Sequence, residues 1–252
     1  MNAALPATVP AVPEEVMSQP ARIVNTFVAP SKVFSGLHRN ASWWMAWLLT
    51  AILTIGFVYT MDVKIGMEQI AQQEMARSPR SAQQMEKMSP EQREQALKVG
   101  MTIARVFAYG APVMGLVVFL LIAAVLMATF NFGLGTRVPF KVALAITVYS
   151  FLPTLLSTLL AIFSLMFVDP EGFNARNPVA SNLAAWIMSP DTSHKFLYTL
   201  ATGLDIFSLW IVALLGTGFS VQGKVKRSTA IVVVLCWFVL LKLAGAAWAG
   251  LA

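Results

Sequence analysis

Five stretches of this chain carry almost no charge: Ala41–Met61, Val106–Thr136, Val142–Val168, Phe196–Gln222 and Ser228–Ala252 hold only Asp205 and Lys242 as charged residues. A helix rises 1.5 Å per residue and crosses a hydrocarbon core of roughly 30 Å in about 20 residues, so each stretch is long enough to span a bilayer. The pattern predicts an all-α integral membrane protein with five transmembrane helices, at about 42–61, 108–130, 143–167, 200–221 and 229–248. Between the stretches the pattern turns polar but stays helical in places. Ser89-Pro90-Glu91-Gln92 places a Ser N-cap, Pro at the first helical position and Gln at the third, which predicts a helix running through Leu97 and Met101 into span two. Met67, Ile70, Met75, Met85 and Met88 form a loose apolar stripe around Ser78-Pro79, which fits a helical hairpin outside the membrane. With Gln and Ala as neighbours, the stripe reads as packing rather than metal binding. In the second long connection, Asn177-Pro178 and Ser189-Pro190 bracket a segment in which Trp186 is an interface anchor.

The N-terminal 40 residues divide in two. Residues 1–20 are rich in Ala, Pro and Val and too poor in large apolar side chains to build a core, so they form a disordered tail. Residues 21–252 form a single membrane domain. Its first part, Ala21–Arg39, spaces Ile23, Phe27, Val33, Phe34 and Leu37 at near-helical intervals, with Pro30 dividing the run. One reading lays this amphipathic segment on the inner leaflet, apolar side down, with Arg22, Lys32 and Arg39 towards headgroups. The other packs the same face on the bundle.

Composition agrees with lipid as the solvent, with 57% hydrophobic residues against 12% charged. Distribution of charge then sets orientation. Asn131–Lys141 carries Arg137 and Lys141, and Gln222–Ser228 carries Lys224, Lys226 and Arg227, with no acid in either. By the positive-inside rule these connections and the N-terminus face the cytoplasm. Asp62–Arg105 and Asp169–Lys195 together balance nine Lys and Arg against nine Asp and Glu, and face outward with the C-terminus. The net charge of +6 comes without a basic run interleaved with aromatics, so nucleic acid is not an expected partner. Expected partners are the lipid bilayer, a second copy of the chain or other membrane proteins.

Catalytic chemistry is sparse. The chain has no phosphate loop, HExxH or CxxC, and its two histidines, His38 and His194, fall on opposite sides of the membrane in this topology. No cofactor or metal is expected, and enzyme activity is not. Pro153, inside span three, removes a backbone hydrogen bond and predicts a kink that frees the carbonyl near Tyr149. Glycines at 110, 115, 216, 218 and 245 offer close helix approaches. Asp205 and Lys242 lie at matching depths on antiparallel neighbours, so a structural pair is expected, direct or bridged by a polar neighbour such as Ser208. A proton relay through Asp205, and a snorkelling Lys242, are the alternatives.

Ala29-Pro30-Ser31-Lys32-Val33-Phe34 followed by Ser42-Trp43-Trp44 resembles the approach to the first span in bacterial Yip1-domain proteins. Gly133-Leu134-Gly135, Pro139-Phe140 and Tyr149 to Pro153 resemble the family's central section, and Leu204 to Trp210 with Gly216 and Gly218 its fourth span. The resemblance covers about Ala21–Ala247, and five spans is the family's number. It implies a fold and a place in the bacterial inner membrane with no established reaction. The Asp-Leu-Tyr-Gly-Pro motif of the eukaryotic members is missing, so their GTPase-linked vesicle role is not implied. Two functions follow: a non-enzymatic scaffold or adaptor, or a small transporter or channel subunit using Asp205, Lys242 and the Pro153 kink.

Overall fold

The protein is described from a computed structural model over residues 17–76, 83–84, 87–167, 169, 173–174, 177–188 and 194–251. Most of the expected tail, the Ser78-Pro79 turn, Met85 and Ser189-Pro190 lie outside these residues. The described chain forms α1 (Gln19–Val28), α2 (Pro30–Gly36), α3 (Trp44–Lys64), α4 (Met67–Ala76) and α5 (Pro90–Ala128), which ends in a π-helical turn, Thr129–Gly133. There follow α6 (Phe140–Ser150), α7 (Pro153–Phe167), α8 (Leu183–Ile187), α9 (Lys195–Gly203), α10 (Ile206–Gly223) and α11 (Arg227–Leu251). Five segments are long and apolar enough to cross a membrane: α3, α5, α6 with α7, α10 and α11.

The long helix α5 starts where its sequence says. Ser89 Oγ accepts the Gln92 N–H at 3.3 Å and Gln92 Oε1 accepts the Ser89 N–H at 3.0 Å, a complete capping box with Pro90 at the first position. Pro112 lies inside this helix without ending it. Val99, Ile103, Val106 and Phe107 are exposed along α5. Beside it, Met67 and Ile70 of α4 pack with Val58, Met61 and Leu165 into a small outer cluster, so that part of the methionine stripe is packing.

The main core is built around α6 and α10. Every residue of α6 from Val142 to Ser150 is buried. In α10, half of the apolar window is buried, 50% against 17% in α5 and α11, which makes it the central spanning helix. It is held on two sides at once: a Cβ on Gly216 would lie 2.5–2.9 Å from Ile231 of α11, and one on Gly218 would lie 2.4 Å from Cγ2 of Ile146 in α6. Phe219 stacks on Phe130 of the π-turn at 4.6 Å between centroids.

Two expected spans are interrupted. Span three breaks at Phe151-Leu152, directly before Pro153. The Tyr149 carbonyl that Pro153 would strand accepts the Leu152 N–H at 3.1 Å instead. The Tyr149 hydroxyl lies 3.0 Å from the Ser42 carbonyl at the start of α3, while Lys64 Nζ donates to the Met166 carbonyl at 3.2 Å at the far end. Thus α7 runs beside α3 for its whole length, and α6 lies at the end of the bundle where α3 begins. Span four, expected at about 200–221, is corrected to α10 alone, because the helix stops at Gly203 and restarts at Ile206.

The N-terminal segment faces the bundle. Val33, Phe34 and Leu37 are buried, and Phe27 meets Trp210 of α10 edge-on at 5.6 Å. The amide of Gln222 donates to the Phe34 carbonyl and Arg227 Nη2 donates to Ser31 Oγ at 2.9 Å, tying α2 to both ends of the α10–α11 turn. The leaflet reading placed these aromatics down into lipid; they turn inward because a ready apolar surface on α10 and α6 covers them. Ile23 packs against the same core, Pro30 starts α2, and Val24 and Val28 are the exposed apolar residues of α1. The last residues of the expected tail belong to this unit too, with Ser18 capping α1.

Candidate functional site: buried polar seams

In an apolar bundle the informative residues are the polar ones that the fold has buried, since each must find a partner or cost several kcal/mol, roughly 1–3 for a neutral group. Two seams contain them.

The first joins α1 to α6. Arg22 is 2% exposed, whereas the leaflet reading of the sequence placed it among headgroups. Its Nε donates to the Met17 carbonyl at 3.1 Å and its Nη1 to the Asn40 carbonyl at 2.6 Å. Asn40 is shaped for this by its own side chain, whose Oδ1 accepts the Ser42 N–H at 3.0 Å. Tyr149, wholly buried, brings its hydroxyl within 2.9 Å of Gln19 Oε1 and 3.0 Å of the Ser42 carbonyl, and Gln19 Nε2 donates to that same carbonyl at 3.3 Å. Thr26, one turn along α1, returns its hydroxyl to the Arg22 carbonyl at 2.8 Å. The two hydrogen bonds of Arg22 thus end on carbonyls, and the Tyr149 hydroxyl also feels its charge. Carbonyl partners suit a guanidinium, whose planar fork spreads charge over several donors.

The second seam fills the break between α9 and α10. Asp205 is the N-cap of α10: Oδ2 accepts the Ser208 N–H at 2.8 Å and Oδ1 accepts the Ser181 hydroxyl at 2.5 Å. The connecting strand passes alongside, with Leu183 N donating to the Leu204 carbonyl at 3.1 Å and Ile206 N to the Ser181 carbonyl at 3.3 Å. Backbone groups released by the broken helix are thus satisfied by a loop brought to them. Asn182 caps α8 through Ala185 N at 3.1 Å and pairs with Asn177 through amide bonds of 2.6 and 3.3 Å.

Lys242 sits at the level of this break without joining Asp205 in an ion pair. Its stem crosses Gly203, where a Cβ would stand 3.0 Å from Cδ, and its Nζ lies 5.6 Å from the centroid of Phe238. This corrects the expected direct pair. The Asp205 carboxylate is already met by two donors at a helix N-terminus, whose dipole favours the anion, and the lysine stem lies along apolar surface as snorkelling side chains do. Of the predicted neighbours, Ser208 does meet Asp205, through its backbone. The depth argument brought Lys242 to the right level; what the sequence did not show is that a loop residue, Ser181, arrives first.

Two residues central to these seams, Arg22 and Ser181, were not singled out as site residues. A usable indication existed for the first: Tyr149 in a charge-free span requires a partner, and only a polar segment outside the spans can supply it. The described residues contain no group of three or more His, Cys, Asp or Glu arranged to hold a metal ion. Among the buried side-chain polar atoms of the described residues, Ser150 Oγ stands apart, without a hydrogen-bond partner next to the span-three break.

No curated protein and no solved structure matches the chain. A family model does: the Yip1 domain matches residues 24–248, a range that holds four spanning segments whole and the fifth as far as Trp248, and with them Phe34, Tyr149 and Asp205, while Gln19 and Arg22 lie just before it. With nearly all of the chain matched, this multi-pass membrane protein belongs to the Yip1 domain family.

Proposed function

We propose that this Yip1-type protein is a non-enzymatic membrane scaffold or adaptor, in which residues 21–252 act as one domain of the bacterial inner membrane. The carrying observation is that the polar groups of both seams are spent on joining the protein's own helices. Arg22 and Tyr149 lock α1 to the bundle, and Asp205 holds the restarted α10. Each helix break that would line a substrate path in a transporter is met here by the chain itself. The transporter reading draws on those same two breaks, at Phe151-Leu152 and at Leu204-Asp205.

Two measurements separate the readings. Crosslinking of the full chain in native membranes, followed by co-purification, is expected to recover a reproducible set of membrane proteins or a second copy; recovery of lipid alone would remove the adaptor role. Proteoliposomes holding a pH-sensitive dye under an imposed potassium gradient are expected to leak protons no faster than empty vesicles. A leak abolished by Asp205→Asn would establish the relay and overturn the scaffold, because Asn caps a helix nearly as well as Asp and leaves the fold intact.

The proposed orientation puts the N-terminus, the 131–141 connection and the 222–228 connection in the cytoplasm and the C-terminus outside. In a Cys236→Ser background, Gln95→Cys is expected to react with an impermeant maleimide in whole cells and Ser228→Cys only after permeabilisation. The reverse pattern would invert the topology.

A further inference from the structure

One end of the bundle gathers exposed cations from three separate parts of the chain. Lys32 of α2, Arg137 of the α5–α6 connection with Lys141 in the first turn of α6, and Lys224 and Lys226 of the α10–α11 turn with Arg227 at the start of α11 are all exposed. Residues 21–43, 131–141 and 222–228 contain no Asp or Glu. The fold makes these cations neighbours: a Cβ on Gly223 would lie 2.9 Å from Cγ2 of Thr136, and Arg227 reaches Ser31.

The supports are rigid. Asn131 closes its turn with both ends of its amide, accepting from Val138 N at 2.9 Å and Thr136 Oγ1 at 2.8 Å and donating to the Val138 carbonyl at 3.0 Å. Ser220 Oγ donates to the Val225 carbonyl at 2.8 Å across the other turn. From the first of these turns Phe132 projects with 90% of its surface exposed. A phenyl ring held out by a well-bonded turn, in the midst of cations, is poorly placed in water and well placed at the boundary of headgroups and acyl chains, where aromatic side chains concentrate.

We infer that this face is a docking surface for anionic phospholipid, with the lysines and arginines on the phosphodiesters and Phe132 among the acyl chains beneath them. Charge complementarity selects the occupant, since the negative potential of an anionic leaflet attracts a cluster of basic residues roughly in proportion to their number. The exposed ring selects a lipid over a free anion, because inorganic phosphate offers it nothing. The inference is independent of whether the protein scaffolds or transports.

The test uses the full chain in neutral maltoside detergent, titrated with phosphatidylglycerol, phosphatidylcholine, inorganic phosphate or poly-glutamate, reading the thermal midpoint and the lipid retained in native mass spectrometry. Phosphatidylglycerol is expected to raise the midpoint and remain bound, with the effect weakened in high salt. The exposed triple variant Arg137→Gln, Lys141→Gln, Lys226→Gln is expected to lower retention about a hundredfold, at roughly fivefold per charge. Phe132→Ser is expected to reduce retention of phosphatidylglycerol while leaving any response to inorganic phosphate unchanged. Equal responses to phosphatidylcholine and phosphatidylglycerol would overturn the inference. So would a midpoint raised as far by inorganic phosphate, a response to poly-glutamate alone, or wild-type retention by the triple variant. If that variant fails to fold, the wild-type comparison of the two lipids still decides.

Discussion

Gly216→Ala is expected to destabilise the protein by about 3 kcal/mol or more, because among the described glycines it is the one where an added Cβ would meet a neighbouring backbone closer than 3.0 Å. The added Cβ would fall 2.5 Å from Cγ1 of Ile231, and 2.7 and 2.9 Å from its Cα and backbone nitrogen. A side chain can rotate away; a helix backbone cannot, so α10 and α11 would have to separate at this contact. Gly245→Ala is the matched control. It lies on α11 with nothing within 4 Å of a Cβ, and the substitution should be neutral or stabilising by up to about 1 kcal/mol through helix propensity. Thermal or SDS unfolding in detergent measures both. A loss at Gly216 no larger than the change at Gly245 would mean that the α10–α11 contact is looser than described.

Arg22→Ala comes next, with an expected loss of about 3 kcal/mol. Truncation removes a wholly buried stem and leaves the Met17 and Asn40 carbonyls unpaired beside Tyr149. A buried charge also carries a desolvation cost that its removal relieves, and this term runs the other way. The lost contacts decide: two hydrogen bonds from a charged donor, each worth roughly 1.5–3 kcal/mol, go together with the packing of a stem that is 2% exposed. Arg22→Lys should recover little, because a single ammonium cannot reach in two directions as the fork does. Since the seam fastens α1, limited trypsin digestion at exposed Lys32 should accelerate in Arg22→Ala before global unfolding. Unchanged stability in Arg22→Ala would show that desolvation of the guanidinium offsets its bonds and that the apolar face of α1, Ile23 and Phe27, is enough to hold it.

The same glycines show how far a residue list can be read. Gly110, Gly115 and Gly245 look as suited to close helix contact as Gly216 and Gly218, yet a Cβ on any of the first three would meet nothing within 4 Å. A small residue permits approach without requiring it. Which helix arrives is a property of the packed bundle. Pro153 and Pro112 make the same point in the backbone, since one directly follows a break and the other is passed over by a continuous helix. A proline removes a donor wherever it falls, but whether the chain bends depends on what holds the turns on either side.

Local features were fully legible in the sequence. The number of spans follows from charge-free length, because hydropathy and rise per residue need no tertiary information. The start of α5 follows from Ser89, Pro90 and Gln92, because a capping box is closed within four residues. Tertiary structure alone decided three things: that α6 is buried on every side, that Arg22 points inward, and that Asp205 is claimed by Ser181 before Lys242 reaches it. The physical reason is common to all three. Lipid and protein core are equally apolar, so a spanning sequence carries no amphipathic stripe to say which face meets protein. A polar group among such residues announces that it needs a partner, and only the folded chain says which one arrives.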